Sequence, residues 1–70
     1  MPYRSTSELP ESVRAHLPPH AQDIYLAAFN NAWRQYGHDP DAEAIVHRIA
    51  WSAVKRRYRK VGDAWMPIAR

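Results

Sequence analysis

Leu9, Val13 and Leu17 recur at intervals of four, and Ala21, Tyr25, Ala28, Phe29, Ala32, Trp33 and Tyr36 then repeat at three- and four-residue spacings. A third stripe, Val46, Ile49, Ala50, Ala53, Val54, Tyr58 and Val61, follows the same rule. Helical periodicity of this kind buries one face of each segment against its neighbours. The pattern predicts a mainly α domain of three helices, one short and two long, the long pair packed antiparallel.

Prolines and glycines set the boundaries. Proline is tolerated in the first helical turn because that N–H has no intrahelical acceptor, so Pro10, Pro19 and Pro40 read as helix openers. The first helix is expected from about Pro10 to His16, because Leu17 precedes a proline and is disfavoured in the α region. The second is expected over Pro19 to Tyr36, with Gly37 as its C′ residue. The third is expected from the Asp39-Pro40-Asp41 segment to about Lys60, with Asp39 capping, the following carboxylates complementing the dipole, and Gly62 closing it. Alanines at 21, 28 and 32, set between large rings, predict close helix approach with the rings filling the flanks.

Beyond the third helix, Asp63-Ala64-Trp65-Met66-Pro67-Ile68 carries too much apolar bulk for free chain and should fold back. Its expected partner is the N-terminal Met1-Pro2-Tyr3-Arg4, giving a small two-stranded ribbon that joins the termini, with prolines at edge positions. No repeat or linker divides the chain, so residues 1–70 read as a single domain.

Composition narrows the function. With 70 residues, three Trp, four Tyr and one Phe, a few large side chains must supply most of the core, leaving little room for a deep catalytic cavity. Absence of cysteine removes disulfides and the usual structural zinc sites, and fits a reducing, cytoplasmic location. No apolar run reads as a signal peptide or reaches the roughly 20 residues of a membrane span, so no membrane insertion is expected.

The formal net charge of +3 is unevenly spread. Residues 1–20 are neutral, residues 21–43 carry −3, and residues 44–70 carry +6 with Asp63 as their one acid. Arg48, Ser52, Lys55 and Arg59 recur at i, i+4, i+7 and i+11, predicting an outward basic ridge to which Arg56 and Lys60 add charge. Cations near a helix C-terminus favour the dipole and aid solubility. That account covers Lys55 to Lys60 in part, but not Arg48 in mid-helix or the lack of acids between Glu43 and Asp63.

The sequence MPYRSTSELPESVRAHLPPHAQDIYLAAFNNAW, followed by IAWSAVK and a later Trp, resembles the ChaB family of small bacterial proteins over nearly the whole chain. The resemblance implies a mostly helical fold with a small two-stranded sheet. It implies no catalytic residues, and a regulatory role in cation transport linked to a sodium or calcium/proton antiporter. Related viral proteins are associated with DNA binding. One departure is the connection before the last helix, commonly longer and highly charged in the family and here only about Gly37-His38-Asp39-Pro40-Asp41.

Candidate chemistry mostly reduces to packing. His16 and His20 have metal-ligand spacing, but Pro18 and Pro19 interrupt the helix between them. His47, at the edge of an apolar stripe, reads as a structural histidine. Asp39, Asp41 and Glu43 resemble the opening of a calcium loop, yet Ala44 and Ala50 stand where an EF-hand needs Gly and a bidentate Glu. No phosphate loop or catalytic triad is present, so the chain is expected not to be an enzyme and to need no cofactor or metal.

Two functions remain. In the first, a regulatory adaptor docks on an acidic protein surface, such as a cation antiporter, through Arg48, Lys55, Arg56, Arg59 and Lys60. In the alternative, the same residues contact DNA phosphates with little base discrimination. Self-association through the edges of Trp51 and Tyr58 is a third arrangement.

Overall fold

The computed structural model describes residues 3–68. A 3₁₀ turn at Thr6–Glu8 leads into helix α1, Glu11–His16. Helices α2, Pro19–Tyr36, and α3, Ala42–Arg57, follow. Strands β1, Tyr58–Val61, and β2, Ala64–Pro67, form an antiparallel hairpin.

Helix α1 is six residues long, too short to persist without tertiary support. Leu9, Val13 and Leu17 supply that support, each at 4 % exposure or less. Leu17 is extended (φ −104°, ψ 135°) as the proline after it demands. The corner is tied by polar side chains. Gln22 Nε2 donates to the Leu17 carbonyl at 2.8 Å, and Arg14 Nε donates to the Leu9 carbonyl at 2.9 Å.

The core lies between α2 and α3. Ala21, Tyr25, Phe29 and Ala32 of α2 are buried, as are Ala42, Val46, Ala50 and Val54 of α3. The alanines allow close approach of the two backbones. Tyr25 meets Trp51 edge-on at 5.3 Å between ring centroids, and Phe29 meets His47 at 4.9 Å, which fixes the helices as antiparallel. Trp33 stacks behind Phe29 at 6.1 Å. Tyr36, expected on this packing face, is exposed; it sits in the last turn of α2, where the chain leaves for α3.

Gly37 ends α2, but not as a left-handed C′ residue: its φ of −61° is helical. Glycine is required for space, since a Cβ there would stand 2.6 Å from the Trp33 carbonyl oxygen and 3.0 Å from its indole Nε1. Helix α3 starts at Ala42 rather than within the preceding acidic segment. Asp39 still organises the turn, its Oδ1 accepting from the Asp41 N–H at 2.8 Å and its carbonyl from the Ala42 N–H at 3.0 Å.

The C-terminal third departs most from expectation. Helix α3 stops at Arg57, and Tyr58 is extended (φ −131°, ψ 151°). Gly62 makes the hairpin turn with φ +62° instead of closing the helix. Only glycine takes that conformation at little cost, and Gly-Asp between two short β-prone runs is a two-residue hairpin signal. The register pairs Tyr58 with Pro67, Arg59 with Met66, Lys60 with Trp65 and Val61 with Ala64.

The ribbon therefore joins the end of α3 to the tail, not the two termini. The N-terminal segment is held by α2. Tyr3 N–H donates to Asn30 Oδ1 at 2.9 Å, and Asn30 Nδ2 donates to the Tyr3 carbonyl at 2.8 Å, so one side chain satisfies both backbone groups that a strand would have paired. The Tyr3 ring lies 4.7 Å from Phe29. Burial and then the Glu43 carboxylate push its hydroxyl pKa above the usual value. Met1 and Pro2 of the expected ribbon lie outside the described residues.

Candidate interaction surface

The five residues of the expected basic ridge are all exposed, but they do not form one helical face. Arg48, Lys55 and Arg56 stand on α3, whereas Arg59 and Lys60 stand on β1. Successive strand residues point to opposite sides, so Arg59 and Lys60 diverge. The i+11 relation assumed for Arg59 is lost because the helix ends two residues before it.

The structure brings two of the five together. Lys55 and Lys60 rim an open groove of about 610 Å³ between α1 and α3, with Ser12 and His16 on one wall and Trp51 and Trp65 on the other. Trp65 is directly opposite Lys60 in the ribbon and packs on Trp51 at 5.6 Å, as expected of a tail that folds back. Tyr25 and His47 also line the groove.

His47 is half-buried and performs the structural role its position on the stripe implied. Its Nδ1 shares a hydrogen bond with the Tyr25 hydroxyl, and its ring contacts both Tyr25 and Phe29. Burial first, and the nearby Tyr3 second, push the Tyr25 pKa up to about 12. A neutral hydroxyl buried at the helix interface thus finds a polar partner in His47.

Arg56 points to a different concavity, shared with Arg57, His20, Tyr58, Pro67 and Ile68. Arg57 and His20 were not among the expected contact residues. The Gly62-Asp63 turn signal could have found them, because a hairpin after Arg57 folds the tail back across the α3 terminus toward the start of α2. Tyr58, expected to offer an exposed aromatic edge for self-association, is 5 % exposed and belongs to the core. Trp51 is half-buried against Tyr25 and Trp65.

The histidine pair is separated in role as well as by the prolines. His16 Nδ1 is engaged by the Ser12 carbonyl at 2.6 Å, one turn back, and the His20 ring lies 6.2 Å from Tyr58. Among the described residues, no three His, Asp or Glu side chains gather as a metal set. No helix among them is long and apolar enough to cross a membrane.

An aromatic helix pair closed by a basic ribbon, with cations at the rims of open concavities, defines a small helical domain with a positively charged C-terminal part. The chain belongs to the ChaB family, whose model matches residues 9–67. It is 51% identical to a protein of Escherichia coli strain K12 named "Putative cation transport regulator ChaB", with 90% of this chain and 91% of that one covered. A 10.9 kDa protein of Lymantria dispar multicapsid nuclear polyhedrosis virus is 38% identical over 99% of this chain and 67% of its own length. The NMR solution structure of a ChaB protein superposes with a TM-score of 0.85 at 47% identity, covering 97% of this chain and 100% of that one.

Proposed function

We propose that this protein is a non-enzymatic regulator of cation transport that docks on an acidic surface of its partner, a cytoplasmic face of a cation antiporter. The observation that supports this most directly is the exposure of Arg48, Lys55, Arg56, Arg59 and Lys60 along α3 and β1. The regulator name carried by relatives of half-identical sequence supplies the process. Charge of one sign on a small rigid domain steers encounter with an acidic partner and fixes orientation more than it adds raw affinity.

The test is proton-coupled cation flux in vesicles that contain the antiporter, with and without the protein. The protein should change the flux rate, and charge reversal at Arg48, Lys55 and Arg59 should remove the change. An unchanged rate across a wide protein range would sink the proposal.

A second reading draws on the groove, where Lys55 and Lys60 flank Trp51 and Trp65. Cations beside aromatic rings suit nucleic acid, with phosphates on the lysines and bases against the rings. Neutralising about two phosphates of a single strand, one for each lysine, would give a log–log salt slope near −1.4. Absence of retardation at low salt would exclude this reading.

A further inference from the structure

Among the described residues, four large apolar side chains remain exposed: Val61 at 49%, Met66 at 48%, Ile68 at 42% and Tyr36 at 41%. Three of these lie in or beside the hairpin. The register pairs Val61 with Ala64 and Arg59 with Met66, and the Ile68 N–H donates to the Arg57 carbonyl at 2.8 Å, extending the pairing by one step. Alternation along the strands therefore puts Val61, Met66 and Ile68 on one face of the ribbon together with Arg59. Tyr58, Lys60 and Trp65 take the other face, where Tyr58 enters the core and Trp65 packs on Trp51.

We propose that this outer face docks peripherally on an anionic lipid surface. Val61, Met66 and Ile68 would enter the headgroup boundary, while Arg59 and the neighbouring Arg57 pair with lipid phosphates. The face combines the two signals that reversible membrane association needs, apolar side chains to bury and cations beside them. Arginine suits the site because its planar fork binds phosphate oxygens bidentately. Residues 44–70 carry +6 with Asp63 as their one acid, so the field over the ribbon favours a negatively charged layer. No segment crosses the bilayer in this arrangement.

Charge and shape argue against other occupants. A second copy packed on this face about a two-fold axis would set Arg59 and Arg57 near their own counterparts, which repel. Nucleic acid would gain from the arginines but nothing from three aliphatic side chains. The inference goes beyond the docking role of α3, because the aliphatic residues that carry it lie outside that helix.

Vesicle co-sedimentation of the full chain tests it, with phosphatidylcholine vesicles compared with equal mixtures of phosphatidylcholine and phosphatidylglycerol. The wild-type protein should sediment with the anionic vesicles and not with the neutral ones. The triple variant V61S/M66S/I68S should keep its circular-dichroism spectrum and lose at least about tenfold in partitioning. Arg59→Glu should lose at least about fivefold. If the triple variant proves unfolded, Met66→Ser alone replaces it and should still weaken binding.

Three results would overturn the proposal: no wild-type binding at any lipid concentration, undiminished binding by the folded apolar variant, or a wild-type dimer in sedimentation that the variant abolishes. Antiporter flux measured with the same variants separates the two proposals. For V61S/M66S/I68S, loss of vesicle binding with flux regulation retained in neutral-lipid proteoliposomes leaves the α3 docking intact, whereas loss of regulation on Arg48→Glu with vesicle binding retained concerns α3 alone.

Discussion

Residues 9 to 36 and residues 48 to 68 contrast in how tightly their sequence constrains their structure. The first stretch is held by rings and small residues in one buried cluster: Tyr25 and Phe29 are at most 1 % exposed, and Ala21 has no exposure. The second exposes every one of its Lys and Arg side chains and keeps three of its large apolar residues in solvent. The largest fully buried rings lie in the first region and the exposed cations in the second. Substitutions should sort the same way.

The sharpest way to break that contrast is Phe29→Ala. Removing a fully buried ring that touches Tyr3, Trp33 and His47 should cost roughly 3–5 kcal/mol, much of the stability available to a domain this small. Urea denaturation followed by circular dichroism should show a largely unfolded variant. A loss below about 1 kcal/mol would mean that the core lies elsewhere.

Tyr25 gives the next effect through pH. Its pKa rises from the ordinary 10.0 to about 12 in the folded chain, so between these values the folded state keeps a proton that the unfolded state has lost. Stability associated with Tyr25 is therefore complete below pH 10 and falls as pH climbs towards 12, by roughly 2–3 kcal/mol over the span. Because other groups titrate in the same range, the measurement is the difference between wild type and Tyr25→Phe. That difference should shrink as pH rises above 10 and change sign before pH 12. At neutral pH, Tyr25→Phe should cost about 1 kcal/mol through the hydrogen bond lost to His47.

The two glycines sharpen the comparison, since Gly37 borders the first region, Gly62 lies in the second, and each fails for its own reason. Gly37→Ala forces a Cβ against the Trp33 carbonyl and indole and should cost roughly 1–3 kcal/mol by overpacking. Gly62→Ala meets nothing within 4 Å, so its cost is only that of a positive φ, about 1 kcal/mol. Thermal melts of the two variants should rank them in that order. The reverse ranking would indicate that the hairpin, not the helix junction, limits stability.

The same division governs what was legible in the sequence. Pro19 and Gly37 bounded α2 to the residue, and apolar spacing of three and four placed the buried edge of α1, because large rings and small alanines leave few ways to pack. Spacing failed after Arg57. Tyr58 and Val61 fit a helical stripe by position, yet Gly62-Asp63 specified a turn, and one buried tyrosine can be presented from a strand as well as from a helix. The N-terminus was misplaced for a related reason. Asn30 occupies the outward side of α2 in any periodicity count, and nothing in that count reveals that its amide satisfies both backbone groups of Tyr3. The candidate contact residues were legible as charges, since no core could take them. Their grouping was not, because it depends on where the helix ends.

The smallest expected effect is the most telling for the exposed region. Arg48→Glu and Lys55→Glu, singly or together, should shift stability by no more than about 0.5 kcal/mol. Both side chains are exposed, and surface charges in high dielectric contribute little to folding. Lys55 in the last turn also favours the dipole, so its reversal should cost slightly more than that of Arg48. Melting temperature and helical signal should stay near wild type while regulation of cation flux falls. Loss of stability in proportion to loss of regulation would instead make these cations part of the fold, and the division between buried rings and exposed cations would fail.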